Sequence, residues 1–323
     1  MTDAAVPGPR FTGGIVACGE GPRVARAIRS LLDQPLPPRG EWARIWVVVA
    51  PGSPETLAAA RKEAADDPRV SVLPEPVRRG KSAALAEIIA RSEGDGLVLL
   101  NGDAEADPGA LGELWTAAAG ARRPYGVMAR PRPSARPPGP CTDAMDLLWE
   151  IHHRLHLALR SAGSAANLSD ELVLLSGADL PPLAAGVIND GAYYAAWIRR
   201  RGGDLLYAPS ATVRIATPLG LRDHFVQRRR ILAGHAQIAE LTGLSPATVL
   251  TLARIRPRSA VALLKGATRA VPHGRRSLLA LLAVEVAAHL SARVERRRSR
   301  LAVWPRVRTW PGEETPDPAA APL

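Results

Sequence analysis

Apolar and polar positions follow two periods along this chain, and the switching between them outlines its architecture. Residues 15–18, 45–49, 70–73 and 97–100 are short apolar runs, the form taken by strands buried on both faces. Between them, apolar residues recur every three or four positions. In residues 22–32 they are Val24, Ala27, Ile28, Leu31 and Leu32, one face of a helix. Further helices are expected from a Ser53 cap through residue 65, over 82–91 and over 108–119. Strand and helix therefore alternate through the first 130 residues. This rhythm predicts an α/β fold, with a mostly parallel sheet flanked by helices and right-handed crossovers.

Beyond that point the pattern loosens. Residues 129–140 (ARPRPSARPPGP) crowd proline and arginine, and predict a linker or a mobile loop over a site. Helices are expected over 142–160 with Thr142 as cap, over 190–201, and over 221–241 with a dense basic face. Strands are expected over 171–175, 205–208 and 212–215. Ser245-Pro246 is a helix start, while Pro257 and Pro272 are breaks. Residues 277–292 are the most apolar stretch, yet shorter than the about 20 residues of a membrane span. Glu285, His289, Arg293 and Arg296 share one face there, so the helix is amphipathic. The expected organisation is a disordered N-terminus over 1–12, an α/β domain over 13–241, a basic amphipathic helical extension over 242–310 and a disordered tail over 311–323.

Composition changes this picture in two respects. The net charge of +11 is uneven: residues 222–308 hold 18 Lys and Arg against four acids, which is +14 and leaves −3 elsewhere. A basic C-terminal third points to an anionic partner, whether a membrane surface, a phosphorylated substrate or nucleic acid. Nucleic acid is least favoured, because aromatics are not interleaved with these arginines. Only Cys18 and Cys141 occur, which argues against a disulfide framework and fits a reducing compartment. The first ten residues contain no apolar core of a signal peptide. The expectation is a cytoplasmic protein, with a peripheral place at the inner membrane face open to it.

The candidate chemistry lies around residues 79–107. The apolar strand over 97–100 runs into Asp103, Glu105 and Asp107. Carboxylates past the C-terminal end of a parallel strand sit where open α/β sheets bind ligands. Their oxygens suit a hard cation, and a hard cation suits a diphosphate. Gly80-Lys81 at a helix start adds a complementary charge beside backbone N–H groups that favour anions. Against this stands a plainer reading, in which the acids only begin the helix at Pro108 and Lys81 is a solvated surface residue. Glu105 and Asp107 are read as capping residues. His152 and His156 have zinc-compatible spacing, but lacking a third ligand they are read as packing histidines.

Five motifs follow in order: Ile15-Val16-Ala17-Cys18-Gly19-Glu20, Arg79-Gly80-Lys81-Ser82-Ala83-Ala84-Leu85, Asn101-Gly102-Asp103, Asn189-Asp190, and Gln227-Arg228-Arg229-Arg230-Ile231 before Gly234-His235. Their order resembles the family 2 glycosyltransferases of the GT-A fold over about residues 13–240. The resemblance implies a nucleotide-sugar donor and a divalent cation, Mg or Mn. It implies donor contacts by Glu20, Lys81, Asn101 and Asp103, with Asp103 as the metal ligand. Asp190 stands at the position of the general base of an inverting transfer. Gln227, Arg229, Arg230 and His235 stand where acceptor and diphosphate are contacted, and Glu171 matches a family acceptor-side glutamate. The sequence also departs from the family. Ala50-Pro51-Gly52-Ser53 replaces Asp-Asp-Gly-Ser, Asn101 replaces the first aspartate of Asp-x-Asp, and Ile231 replaces a tryptophan.

The expected activity is single transfer of a sugar to an acceptor that is lipid-linked or anionic. Its rivals are a catalytically degenerate binding or scaffold protein, supported by Ala50-Pro51 and Asn101, and a nucleotidyltransferase on a related scaffold. The latter would use Gly19-Glu20-Gly21-Pro22-Arg23, a poor triphosphate loop.

Overall fold

The expected alternation of strands and helices largely holds over the first 130 residues, with two strands more than expected. In this computed structural model, which describes residues 8–161, 167–177, 180, 181, 183 and 186–295, the order is β1 (Arg10–Ala17), α1 (Arg23–Leu32), β2 (Glu41–Val49), α2 (Pro54–Asp66), β3 (Val70–Pro74), α3 (Lys81–Ile89), β4 (Gly96–Asn101), β5 (Glu105–Ala106), α4 (Ala110–Ala118) and β6 (Gly126–Pro133). Then come α5 (Pro140–Ser161), β7 (Leu172–Ser176), α6 (Asp190–Arg200), β8 (Leu205–Ile215), α7 (Leu221–Thr242), α8 (Val249–Ile255), α9 (Pro257–Ala270) and α10 (Gly274–Glu295). The disorder expected over residues 1–12 is corrected at 10–12, which begin strand β1; residues 1–7 and 311–323, and the placement of Arg296, lie outside the described residues.

One eight-stranded sheet carries the order β3-β2-β1-β4-β7-β6-β8-β5. The pairs β2–β3, β1–β2 and β1–β4 are parallel; β7 runs antiparallel to both β4 and β6. The apolar runs became strands because both faces are covered. Ile15, Ile45, Val47, Leu97 and Val98 are wholly buried, each contributing about 1.5–3 kcal/mol of transfer free energy. β1 begins well before its apolar run, since Phe11 packs against Trp42 and Trp115 at ring distances of 6.0 and 5.1 Å.

Several local expectations are corrected. Residues 129–133 are not loop: β6 continues through Pro131 and Pro133. Its register with β7 covers only residues 126–128, so the prolines lie past that ladder, where no N–H is required of them on that side. β8 is one continuous strand across Pro209, not two. Glu105 and Asp107 do not cap α4. Glu105 lies in β5 and pairs with Arg26 at 3.4 Å, while Asp107 Oδ2 accepts a hydrogen bond from Thr212 Oγ1 at 2.6 Å. Thr142 lies inside α5 and donates to Pro137 O rather than capping.

The chain divides into two compact units. The first comprises Met1–Arg130, Leu168–Ala184 and Ile198–Val213, and holds most of the sheet. The second comprises Pro131–Asn167, Ala185–Trp197 and Arg214–Leu323. Within the second, Ala144, Met145 and Leu147 of α5 pack with Ala267 of α9 and Leu281 of α10. Leu155 and Leu159 pack with Leu252, Ala260 and Leu263. The helical continuation expected after residue 241 is present as α8, α9 and α10. No helix among the described residues is long and apolar enough to cross a membrane.

Candidate functional site

In the first unit, parallel pairing brings two chain ends together. Val16 of β1 lies opposite Asn101 of β4, so the segments leaving both strands emerge on one edge. Gly102 allows a close turn there: its N–H donates to Val16 O at 3.2 Å, and a Cβ would meet that oxygen at 2.9 Å. Glu20 follows β1 and Asp103 follows β4. Glu20 Oε2 accepts from the Cys18 N–H at 2.5 Å. Burial, and then the neighbouring charge of Asp103, push the Glu20 carboxyl up to about 7. Burial likewise raises Asp103, against the pull of Arg23 and Lys81.

The antiparallel strand β7 delivers the other half of the cluster. Asn101 donates its backbone N–H to Glu171 O at 3.2 Å and its Nδ2 to Glu171 Oε2 at 2.8 Å. Burial pushes the Glu171 carboxyl up to about 8, with Asp170 and Asp103 adding to it. Lys81 opens α3 directly after Gly80, whose φ of 92° suits glycine. The Lys81 ammonium pairs with the Asp170 carboxylate. Glu20, Asp103, Asp170 and Glu171 thus form an acidic cluster faced by Lys81 and Arg23. Burial is the first cause of the raised carboxyls of Glu20, Asp103 and Glu171, and neighbouring carboxylates add to each. After β2, the Ala50 N–H donates to Ala17 O at 2.8 Å, and that turn supplies no carboxylate.

The second unit holds the remaining sequence-derived residues. Asn189 caps α6, its Oδ1 accepting from the Ala192 N–H at 2.9 Å. Asp190 is therefore not needed as the cap, although it is buried at 5 % exposure. The segment before it is clamped by one face of α7. Arg230 Nη2 donates to Ile188 O at 3.0 Å. Gln237 accepts from the Ile188 N–H and donates to Gly186 O, both at 2.9 Å. Gly234, between them, packs so closely that a Cβ would lie 2.8 Å from Asn189 Cβ.

Arg228, two positions before Arg230, forms a two-pronged pair with Glu285 of α10, at 2.6 and 2.9 Å. Glu285, read from the sequence only as part of the polar face of an amphipathic helix, meets α7 through this pair. Burial pulls its carboxyl up, but the Arg228 bond and charge outweigh this and hold it low. Around Arg228, burial drives His152, His224 and His235 each down to about 4. His152 and His156 face each other, Nε2 to Nε2, at 3.2 Å. Gln227 hydrogen-bonds His224, and Arg229 lies over the Phe225 ring at 5.8 Å.

The structure thus gathers Glu20, Asn101, Asp103, Glu171 and Lys81 in one unit, and Asp190, Gln227, Arg229, Arg230 and His235 in the other. Among the described residues, no group of three or more His, Cys, Asp or Glu side chains is arranged to hold a metal ion unaided. Sequence reasoning did not single out Asp170 or Gln237; Arg23 and Arg228 stood inside quoted motifs without the contacts the structure gives them. Asp170 was adjacent to a residue already singled out. Gln237 lies two turns after Arg230, on the same helical face.

Residues 14–137 match the model of glycosyl transferase family 2. That segment contains Glu20, Lys81, Asn101 and Asp103; Asp190 and the α7 residues lie beyond it. No curated protein matches the chain in sequence. Among solved structures, the chain is similar to mannosyltransferase PcManGT from Pyrobaculum calidifontis, determined with GDP-Man and Mn2+. The TM-score is 0.58 at 18% identity, over 91% of this chain and 89% of that one. The fold is therefore GT-A-like, a mixed, mostly parallel sheet flanked by helices.

Proposed function

We propose that this chain, whose residues 14–137 match the glycosyl transferase family 2 model, transfers a single sugar from a nucleoside-diphosphate donor to an acceptor hydroxyl. The acidic cluster of Glu20, Asp103, Asp170 and Glu171 beside Lys81, inside or next to that segment, carries this reading. Asp103 would hold a divalent cation, Mg or Mn, whose hard charge suits a diphosphate. When bound, that cation would neutralise the leaving diphosphate. Lys81, at the start of α3, supplies positive charge and a helix N-terminus for the phosphates, exchanging its contact with Asp170 for the donor. Asp190 accepts the proton of the acceptor hydroxyl, giving inversion at the sugar carbon. Arg230 and Gln237 hold the Ile188 backbone and so position Asp190, while Gln227, Arg229 and His235 contact the acceptor. A lipid-linked or anionic acceptor suits the basic C-terminal helices.

Calorimetry with GDP and with GDP-mannose, each with and without Mn2+, tests the donor site. Wild type binds in a Mn2+-dependent manner, whereas Asp103→Asn loses the Mn2+ dependence and keeps its circular dichroism spectrum. Equal affinities in the two proteins would remove Asp103 from the site. A second reading, a binding protein without turnover, draws on Asn101 standing at a carboxylate position and tied to Glu171. It predicts donor binding with no hydrolysis or transfer under any condition.

A further inference from the structure

α10 is apolar on two opposite faces. One is consumed inside the second unit, where Leu281, Ala288 and Ala292 are buried. The other faces outward: Leu279, Leu282, Val286 and Leu290 are 69%, 51%, 60% and 62% exposed. Spaced at three, four and four residues, they form one stripe along the helix. Arg275 and Arg276, both exposed, lie at its N-terminal end on the same side. α9, which leads into α10, exposes Arg258, Lys265 and Arg269 as well. Isolated exposed leucines need no explanation, but a continuous stripe of four does.

The charge distribution identifies the occupant. Glu285 is the only acid in residues 241–294, and both of its oxygens are taken by Arg228. Up to Ala292 the exposed charges of α8, α9 and α10 are thus cationic, and Glu295 at the end of α10 is the one further acid in the sequence of these helices. A second copy of the chain would set arginine against arginine. Nucleic acid would use the cations but leave the leucine stripe in water. A bilayer with anionic headgroups satisfies both halves, taking the apolar stripe at the acyl boundary and pairing the arginines with lipid phosphates.

We propose that α10 is a peripheral membrane-docking helix, which lies in the plane of an anionic lipid surface and inserts Leu279, Leu282, Val286 and Leu290 while Arg275 and Arg276 engage headgroups. This surface stands on its own observations and does not depend on the catalytic reading.

Sedimentation of the full-length protein with phosphatidylcholine vesicles, with and without phosphatidylglycerol, tests it. Wild type pellets with the anionic vesicles at low salt and is released at high salt, because screening removes the polybasic attraction. It does not pellet with phosphatidylcholine alone. The double variant Leu282→Glu, Val286→Glu binds at least tenfold more weakly, and Arg275→Glu, Arg276→Glu does the same. Both substitutions are at exposed positions, and an unchanged circular dichroism spectrum confirms that the variants fold. Failure of wild type to pellet with anionic vesicles, or equal pelleting by the Leu282/Val286 variant, would overturn the proposal. So would sedimentation velocity showing a wild-type dimer that this variant dissociates, since the stripe would then be covered by a second copy.

Discussion

Asn101 shows how much one atom changes at this site. The resemblance places an aspartate there, and the amide instead donates to Glu171 at 2.8 Å. Asn101→Asp sets a carboxylate against a carboxyl and removes that bond. The expected cost is about 1–3 kcal/mol without cations, read as a lowered Tm, with Mn2+ restoring more stability to the variant than to wild type. An unchanged Tm would mean that the amide contact carries no weight. At Gly234 the expectation is different. A methyl group there meets Asn189 Cβ at 2.8 Å, so Gly234→Ala displaces the segment that places Asp190. Turnover should fall at least tenfold with donor affinity kept, and Asp190→Asn should fall by roughly 10²–10⁴-fold. Near-normal transfer by Asp190→Asn would assign the base elsewhere. The placement of Glu20, Lys81 and Asp103 was legible in sequence because each sits where a strand or glycine turn ends. The role of Arg230 was not, since a buried guanidinium on a backbone carbonyl reads in sequence as one more basic residue of a basic helix.

Among elements, α7 and α10 are joined along their seam by a partly buried ion pair. Arg228 and Glu285 are partly buried, at 20% and 34% side-chain exposure. Their loss should cost about 1–3 kcal/mol, between the values for exposed and fully buried pairs. Glu285→Ala should therefore lower the Tm and speed amide exchange in α10. The same seam carries a pH dependence. His152, His224 and His235 have folded values near 4, below their ordinary value of 6.5. The unfolded chain therefore binds more protons between these limits, and stability rises with pH across that window. Acidification from about pH 6.5 towards 4 should destabilise the second unit, and exchange in α7 should report it. A flat profile in α7 would contradict the buried, neutral state of these histidines. The elements themselves were legible wherever one period dominated, as in α1, β2 and α7. β6 was hidden because Pro131 and Pro133 signal loop locally, while sheet position tolerates them. The inward turn of Glu285 was hidden because periodicity groups polar residues on a face without saying what the face meets.

For the molecule as a whole, the α/β fold was readable from the alternation of periods alone, and the acidic edge from where β4 ends. The division into two units was not, because the second unit collects separate stretches of sequence around α5 and α7 to α10. The basic character of residues 222–308 was visible in composition, whereas only the structure separates the packed leucines of α10 from the exposed ones. In the proposed reading the donor is bound by residues of the first unit, while Asp190 and the proposed lipid-docking helix belong to the second. The most direct test of the central claim is hydrolysis and transfer measured with purified protein across a panel of nucleoside-diphosphate sugars, with and without Mn2+ and with EDTA as control. The account predicts release of a nucleoside diphosphate from one donor class, dependent on the cation and abolished by Asp103→Asn. No release from any donor, or release that persists undiminished in EDTA and in Asp103→Asn, would contradict it.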